Sequence, residues 1–186
     1  YATSALANIV QGFLDNKEYA SAYSYIDEAI ARDGNNATLY DMKGFTAELE
    51  KGIDAAIPYY QQAIECDANY AQGFYDLGRC YYLQAQSIID ENPNATNAQL
   101  KERLVPIYNK ALPLLEKSGQ LNADDAQKAQ RVIEDIKYKM ELMGVKTHTV
   151  EGDEDNIKLT TPRDMVVAEA ILREKRGVLY AGGTRI

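Results

Sequence analysis

Apolar residues recur every three or four positions over residues 6–81, and the pattern as a whole repeats after thirty-four residues. Small residues follow the same interval. Gly44 and Gly78 lie thirty-four residues apart, and so do Ala22 and Ala56. Apolar positions at this spacing predict amphipathic helices, and a repeat of this length is typical of stacked helical hairpins.

The small residues alternate with large ones, as expected where two antiparallel helices interdigitate at core density. Tyr40, Phe74 and Leu77 surround the glycines, and Ala111 continues the alanine series further along the chain. With its thirty-four-residue period, this pattern resembles the tetratricopeptide repeat (TPR) family over about residues 4–123, or 4–143 with a closing helix. Val10 replaces the glycine of the later copies, and Lys43 stands where that family usually has leucine. The resemblance implies an all-α, right-handed α-α superhelix of three helical hairpins plus a closing helix.

The third hairpin is predicted to be longer than its neighbours. Its turn signal comes only at residues 91–97, and its second helix follows from about Ala98 to Lys117. Pro106 and Pro113 each remove a backbone hydrogen bond, so we expect bends in that helix. A further amphipathic helix, residues 124–143, would cover the last apolar face, as terminal helices of repeat proteins do.

The pattern changes after Val145, which divides the chain into a repeat domain of residues 1–145 and an appendage of residues 146–186. A helix-start signal at Thr161-Pro162 precedes an apolar stripe and predicts one amphipathic helix. Residues 162–186 carry five basic and three acidic side chains, whereas the preceding chain is strongly acidic. This contrast predicts that the appendage docks on the repeats or mediates self-association; the alternative is a mobile tail or the severed start of another domain.

The composition excludes some classes of partner. The formal net charge is −8, which argues against nucleic acid, because binding its backbone requires an excess of Lys and Arg. No apolar run is long enough for a membrane span. The chain is expected to be soluble, and the choice between cytoplasm and periplasm stays open. Cys66 and Cys80 are predicted to lie too far apart for a disulfide.

The sequence offers little support for catalysis. His148 has no second histidine or cysteine pair at a spacing that would bind a metal or activate a nucleophile. The acidic residues 151–155 do not fit a calcium-loop pattern. Gly182-Gly183 is not followed by the Lys-Ser or Lys-Thr of a phosphate loop. We therefore expect no enzyme activity, no catalytic residues, no cofactor and no metal.

The resemblance places the first helix of each hairpin on a concave face where TPR proteins bind peptides. The residues that it assigns to this groove are Gln11, Asp41, Phe45, Glu48, Tyr75, Arg79 and Tyr82. Of these, Arg79 alone suits a clamp for a carboxylate. The prediction is a non-catalytic scaffold that binds a peptide or partner subunit through this groove or through the third hairpin; the alternative is an architectural spacer without a specific ligand.

Overall fold

The computed structural model describes residues 3–145, which belong to a unit that ends at Thr147. These residues form seven α-helices and no strand. The helices are α1 Thr3–Asp15, α2 Tyr19–Arg32, α3 Ala37–Lys51, α4 Ile53–Cys66, α5 Ala71–Glu91, α6 Asn97–Leu121 and α7 Ala123–Leu142. None of the seven has the combination of length and apolar character that crossing a membrane requires. The all-helical content is compatible with the predicted fold class, whereas the right-handed superhelix stays a prediction.

Each helix packs against the next one along the chain, and α1 also packs against α3 and α5 against α7. Short connections enforce this arrangement. Gly52 joins α3 directly to α4 with a φ of 90°, a left-handed conformation that glycine adopts without steric cost. Lys17 takes a φ of 60° in the turn between α1 and α2.

The predicted close approaches at glycine are confirmed. A Cβ atom on Gly44 would lie 2.7 Å from the Tyr60 ring in α4, and one on Gly78 would lie 2.8 Å from Cγ of Leu115 in α6. The facing alanines Ala22, Ala56 and Ala111 are all fully buried. A residue with a side chain at either glycine would therefore force the facing helix outward.

Helices α5 and α6 form the longest hairpin, with 21 and 25 residues. The loop between them spans residues 92–96, within the predicted turn. Helix α6 continues through Pro106 and Pro113 to Leu121, four residues beyond the predicted end. Helix α7 follows at the position predicted for the closing helix. The predictions for residues 146–186, including the amphipathic helix and the docking of residues 162–186, lie outside the described residues.

Three buried clusters succeed one another along the helices. The first is centred on Ile26 between α1, α2 and α3, and the second on Tyr60 and Cys80 between α4 and α5. The third and largest joins α5, α6 and α7 around Tyr108 and Ile136. Such a series of local cores, each shared by neighbouring helices, is what stacked hairpins produce.

The start of α6 is fixed by a capping box. The Thr96 hydroxyl accepts a hydrogen bond from the backbone N–H of Gln99, and the Gln99 side chain accepts one from the backbone N–H of Thr96. We expect Thr96→Ala to lower the free energy of unfolding by about 1 kcal/mol, because the backbone N–H of Gln99 loses its acceptor. Urea denaturation measures the change. Thr96→Ser keeps the hydroxyl and serves as the control; equal losses in both variants would contradict the capping role.

Candidate functional site

The structure brings only part of the predicted groove together. Asp41, Phe45 and Glu48 lie on α3, whereas Tyr75 and Arg79 lie on α5. Side chains of Glu48 and Arg79 meet across the two helices, and with Asp41 and Asp76 they belong to one polar cluster. We call this set, together with Tyr60, Tyr70 and Gln72, the α3–α5 polar cluster.

Arg79 is the central cation of the α3–α5 polar cluster. Its Nη1 lies 2.9 Å from Oε1 of Glu48 and its Nη2 lies 2.6 Å from Oε2, which is a bidentate pair. Its Nε lies 3.4 Å from Oδ1 of Asp76. All the guanidinium nitrogens therefore donate to internal carboxylates. Arg79 ties α5 to α3 in this structure, and its donors are taken up by carboxylates of the chain itself.

Two neutral side chains donate further hydrogen bonds to these carboxylates. The Tyr60 hydroxyl of α4 donates to Oε2 of Glu48 at 3.0 Å, and the Gln72 amide donates to Oδ2 of Asp76 at 2.6 Å. The Tyr60 ring reaches Glu48 by lying against Gly44, where a Cβ atom would block it. The close approach at Gly44 thus allows the Tyr60 ring to pack against α3 and its hydroxyl to reach Glu48.

The three carboxyl groups of the α3–α5 polar cluster have pKa values that are shifted in different directions. Burial opposes ionisation of Glu48, but the hydrogen bonds and charge of Arg79 outweigh it, with Tyr60 helping, and lower its pKa. Burial raises the pKa of Asp76 despite its contacts with Gln72 and Arg79. Burial, followed by the charge of Asp76, raises the pKa of Asp41 from 3.8 to about 7. The Arg79 pKa is raised, chiefly by its hydrogen bonds to Glu48.

The other predicted groove residues have different surroundings. Tyr82 faces α7, where its hydroxyl donates to Asp135 at 2.9 Å and its ring lies under Nζ of Lys139 at 5.0 Å. Tyr75 is half-buried against the third cluster. Gln11 is exposed and donates to Asp15 one turn later in its own helix, at 2.7 Å. Whether these residues and the exposed Phe45 share a binding face stays a prediction.

One open cavity of about 480 Å³ lies between α1, α2 and the start of α3. Apolar side chains, among them Leu6, Ile9 and Leu39, form part of its lining, and the ion pair of Arg32 with Glu28 lies beside them. Among the side chains that the structure describes, those of residues 3–122 and 126–145, no group of three or more histidine, cysteine or carboxylate side chains could hold a metal ion. His148 and the acidic residues 151–155 lie outside the described part of the chain.

Comparison with known proteins identifies a similarity in another part of the chain. Residues 98–174 match the family model of 2-C-methyl-D-erythritol 4-phosphate cytidylyltransferase. A relative of that name from Caldanaerobacter subterraneus subsp. tengcongensis is 42% identical over 74 residues, covering 40% of this chain and 26% of the relative. One from Bacillus pumilus is 38% identical over 71 residues, covering 38% and 27%. The chain thus spans about a quarter of the length of these curated relatives.

These findings correct the predictions of family and function. Neither the matching family model nor the named relatives are TPR proteins, so the assignment to that family is wrong. The relatives are named as enzymes, which overturns the prediction of a non-catalytic scaffold or spacer and the expectation of no enzyme activity. The error has a physical reason: the thirty-four-residue interval reports how helices pack, and packing does not specify chemistry.

The matched residues overlap the end of the TPR-like pattern and continue beyond it. They include α6, α7 and residues 146–174, a segment in which the sequence analysis recognised no family. Thr161-Pro162, which lies in that segment, was interpreted only as the start of a helix. Over residues 98–174, the family to which this chain is similar is that of the 2-C-methyl-D-erythritol 4-phosphate cytidylyltransferases.

Proposed function

We propose that this chain acts in the transfer of a cytidylyl group to 2-C-methyl-D-erythritol 4-phosphate, the reaction for which its relatives are named. The observation that supports the proposal is the match over residues 98–174, together with 42% identity to a relative across 74 residues. The matched segment contains α6 and α7, so the proposal concerns a part of the chain that packs directly on α5.

The chemistry of cytidylyl transfer sets a requirement for positive charge. A phosphate oxygen of the acceptor attacks the α-phosphorus of cytidine triphosphate, the bond to the bridging oxygen breaks, and pyrophosphate leaves. Both substrates are polyanions, and phosphoryl transfer depends on positioning them and neutralising their charge. Lysine and arginine side chains are the protein groups that supply this charge.

The distribution of basic residues favours the matched segment as the substrate-binding part. Twelve of the 20 lysine and arginine residues fall within residues 98–174, whereas residues 1–97 contain five of them. Residues 1–97 also contain half of the 28 acidic residues. A polyanionic substrate would therefore meet repulsion at the first five helices and a nearly balanced charge over the matched segment.

Packing couples the matched helices to the rest of the described unit. Helices α6 and α7 share the largest buried cluster with α5, and Tyr82 of α5 donates to Asp135 of α7. The α3–α5 polar cluster then links α5 to α3. In this proposal α1–α5 support the matched helices, and the seven helices coil as a right-handed α-α superhelix; the packing of consecutive helices supports that arrangement.

The proposal predicts nucleotide-dependent turnover. The chain, incubated with cytidine triphosphate, 2-C-methyl-D-erythritol 4-phosphate and Mg²⁺, is expected to release pyrophosphate and to form the cytidine diphosphate ester of the acceptor. A coupled pyrophosphate assay and mass spectrometry measure the two products. Guanosine triphosphate and a mock preparation without the chain are the controls. Pyrophosphate release no greater than in the mock preparation, or release that does not require the acceptor, would contradict the proposed function.

A further inference from the structure

The α3–α5 polar cluster contains more negative than positive groups. Asp41 and Glu48 lie seven residues apart on α3, so both project from one face of that helix toward α5. Asp76 and Arg79 lie three residues apart on α5. If all three carboxyl groups were ionised, one guanidinium would face three carboxylates in a region largely shielded from water.

Arg79 does not hold the three carboxyl groups equally. It pairs with Glu48 through two nitrogens and with Asp76 through the third. Asp41 is left with the hydroxyl of Tyr70 as a hydrogen-bond partner. Its Oδ1 is buried and has no hydrogen-bond partner within the described residues. Among the three carboxyl groups, Asp41 therefore has the fewest hydrogen bonds and ion pairs to stabilise its ionised form.

We propose that Asp41 is a proton-operated switch at the joint between α3 and α5: its protonated form closes the joint, and loss of the proton loosens it. In the protonated state Asp41 is neutral, so the unpartnered oxygen carries no charge that must be desolvated. In the ionised state it faces Asp76 with no cation of its own. Admitting water between the two helices then relieves both the burial and the repulsion.

The groups that face Asp41 all act in this balance. They are Tyr60 on α4, Tyr70 in the connection before α5, and Asp76 and Arg79 on α5. Glu48 acts through its bidentate pair with Arg79. Of the charged ones, Asp76 opposes ionisation of Asp41 and Arg79 favours it. Burial is the largest influence, and the resulting pKa of about 7 places the change at neutral pH. The switch is independent of the proposed transfer reaction.

The direction of the effect on stability follows from where the proton binds. The unfolded chain loses it near the ordinary value of 3.8, whereas the folded chain keeps it up to about 7. Between these values the folded state binds more protons, so stability is expected to fall as the pH rises. Above about pH 7 both states are ionised and the contribution of Asp41 is constant.

Thermal unfolding of the chain from pH 5 to pH 8, followed by circular dichroism, tests the switch. We expect the midpoint temperature of unfolding to fall over this range by on the order of 10 °C, because Asp41 loses its proton in the folded chain. Asp41→Asn removes the titration and should remove that share of the decrease. Asp15→Asn makes the same chemical change at an exposed carboxyl on α1 and should leave the decrease intact. An Asp41→Asn profile parallel to that of the unmodified chain would overturn the proposal.

A second measurement needs no variant. Carboxyl carbon-13 resonances of the aspartates, followed by nuclear magnetic resonance from pH 3 to pH 8.5, should include Asp41 with a midpoint near 7. Amide protection factors in α3 and α5 should decrease over the same pH interval. An Asp41 resonance that titrates below pH 5, or protection factors that stay constant through its titration, would show that Asp41 does not operate the joint.

Discussion

Replacing Arg79 by methionine is expected to lower the free energy of unfolding at pH 7 by about 3–5 kcal/mol. The side chains of Arg79 and Glu48 are only 24% and 16% exposed, so removal of the guanidinium leaves a largely buried carboxylate without its partner. Methionine keeps most of the aliphatic volume, which separates the loss of charge from a loss of packing. Urea denaturation at fixed ionic strength measures the change.

An exposed ion pair provides the control for this prediction. Arg32 pairs with Glu28 one turn earlier on α2, and the two side chains are 61% and 63% exposed. Arg32→Met should cost less than about 0.5 kcal/mol, because water screens that pair. Similar losses for Arg32→Met and Arg79→Met would mean that the buried network contributes no more than a surface contact.

A double variant tests whether the loss of stability in Arg79→Met comes from the unpaired Glu48 carboxylate. Glu48→Gln keeps the shape of the side chain and removes its charge. In the Arg79→Met background it should recover part of the lost stability, whereas alone it should be destabilising, because it breaks the bidentate pair. Additive losses in the two single variants and the double variant would contradict the coupling between these two side chains.

Replacing Gly78 by leucine is expected to destabilise the chain by about 3 kcal/mol through overpacking. The new Cβ atom would lie 2.8 Å from Cγ of Leu115 and 3.3 Å from the backbone oxygen of Ala111, so the backbone of α6 limits any relief. Helix α6 would have to move away from α5 and open the third buried cluster. Thermal and urea unfolding both report this loss.

Gly12→Leu is the control, because a new Cβ atom at that position would contact no neighbouring helix. Gly12 lies within α1, is exposed, and has no atom within 4 Å of the position of a new Cβ. Gly12→Leu should therefore be neutral or stabilise by up to about 0.8 kcal/mol, since leucine has the higher helix propensity. If Gly78→Leu melts like the unmodified chain, the packing of α5 against α6 described here is wrong.

The chemical assignment shows a limit of reasoning from periodicity. Apolar and small residues between Leu6 and Tyr81 indicated how helices pack, but they could not indicate a reaction. The family match lies over residues 98–174, where the spacing of small residues no longer follows the thirty-four-residue interval. One sequence shows which positions are apolar, but it does not show which polar positions relatives share.

The sequence by itself determined the helices and their close approaches. Local spacing of apolar residues decides which face of each helix is buried, and Gly44 and Gly78 mark where a neighbouring helix comes near, because any Cβ atom there would collide with it. The tertiary structure decided the charge state of Asp41 and the partners of Arg79. Arg79 and Glu48 are 31 residues apart, and only folding brings them together and removes the water that would otherwise screen them. Their energetics depend on burial and distance, and neither quantity is encoded in the spacing of residues along the chain.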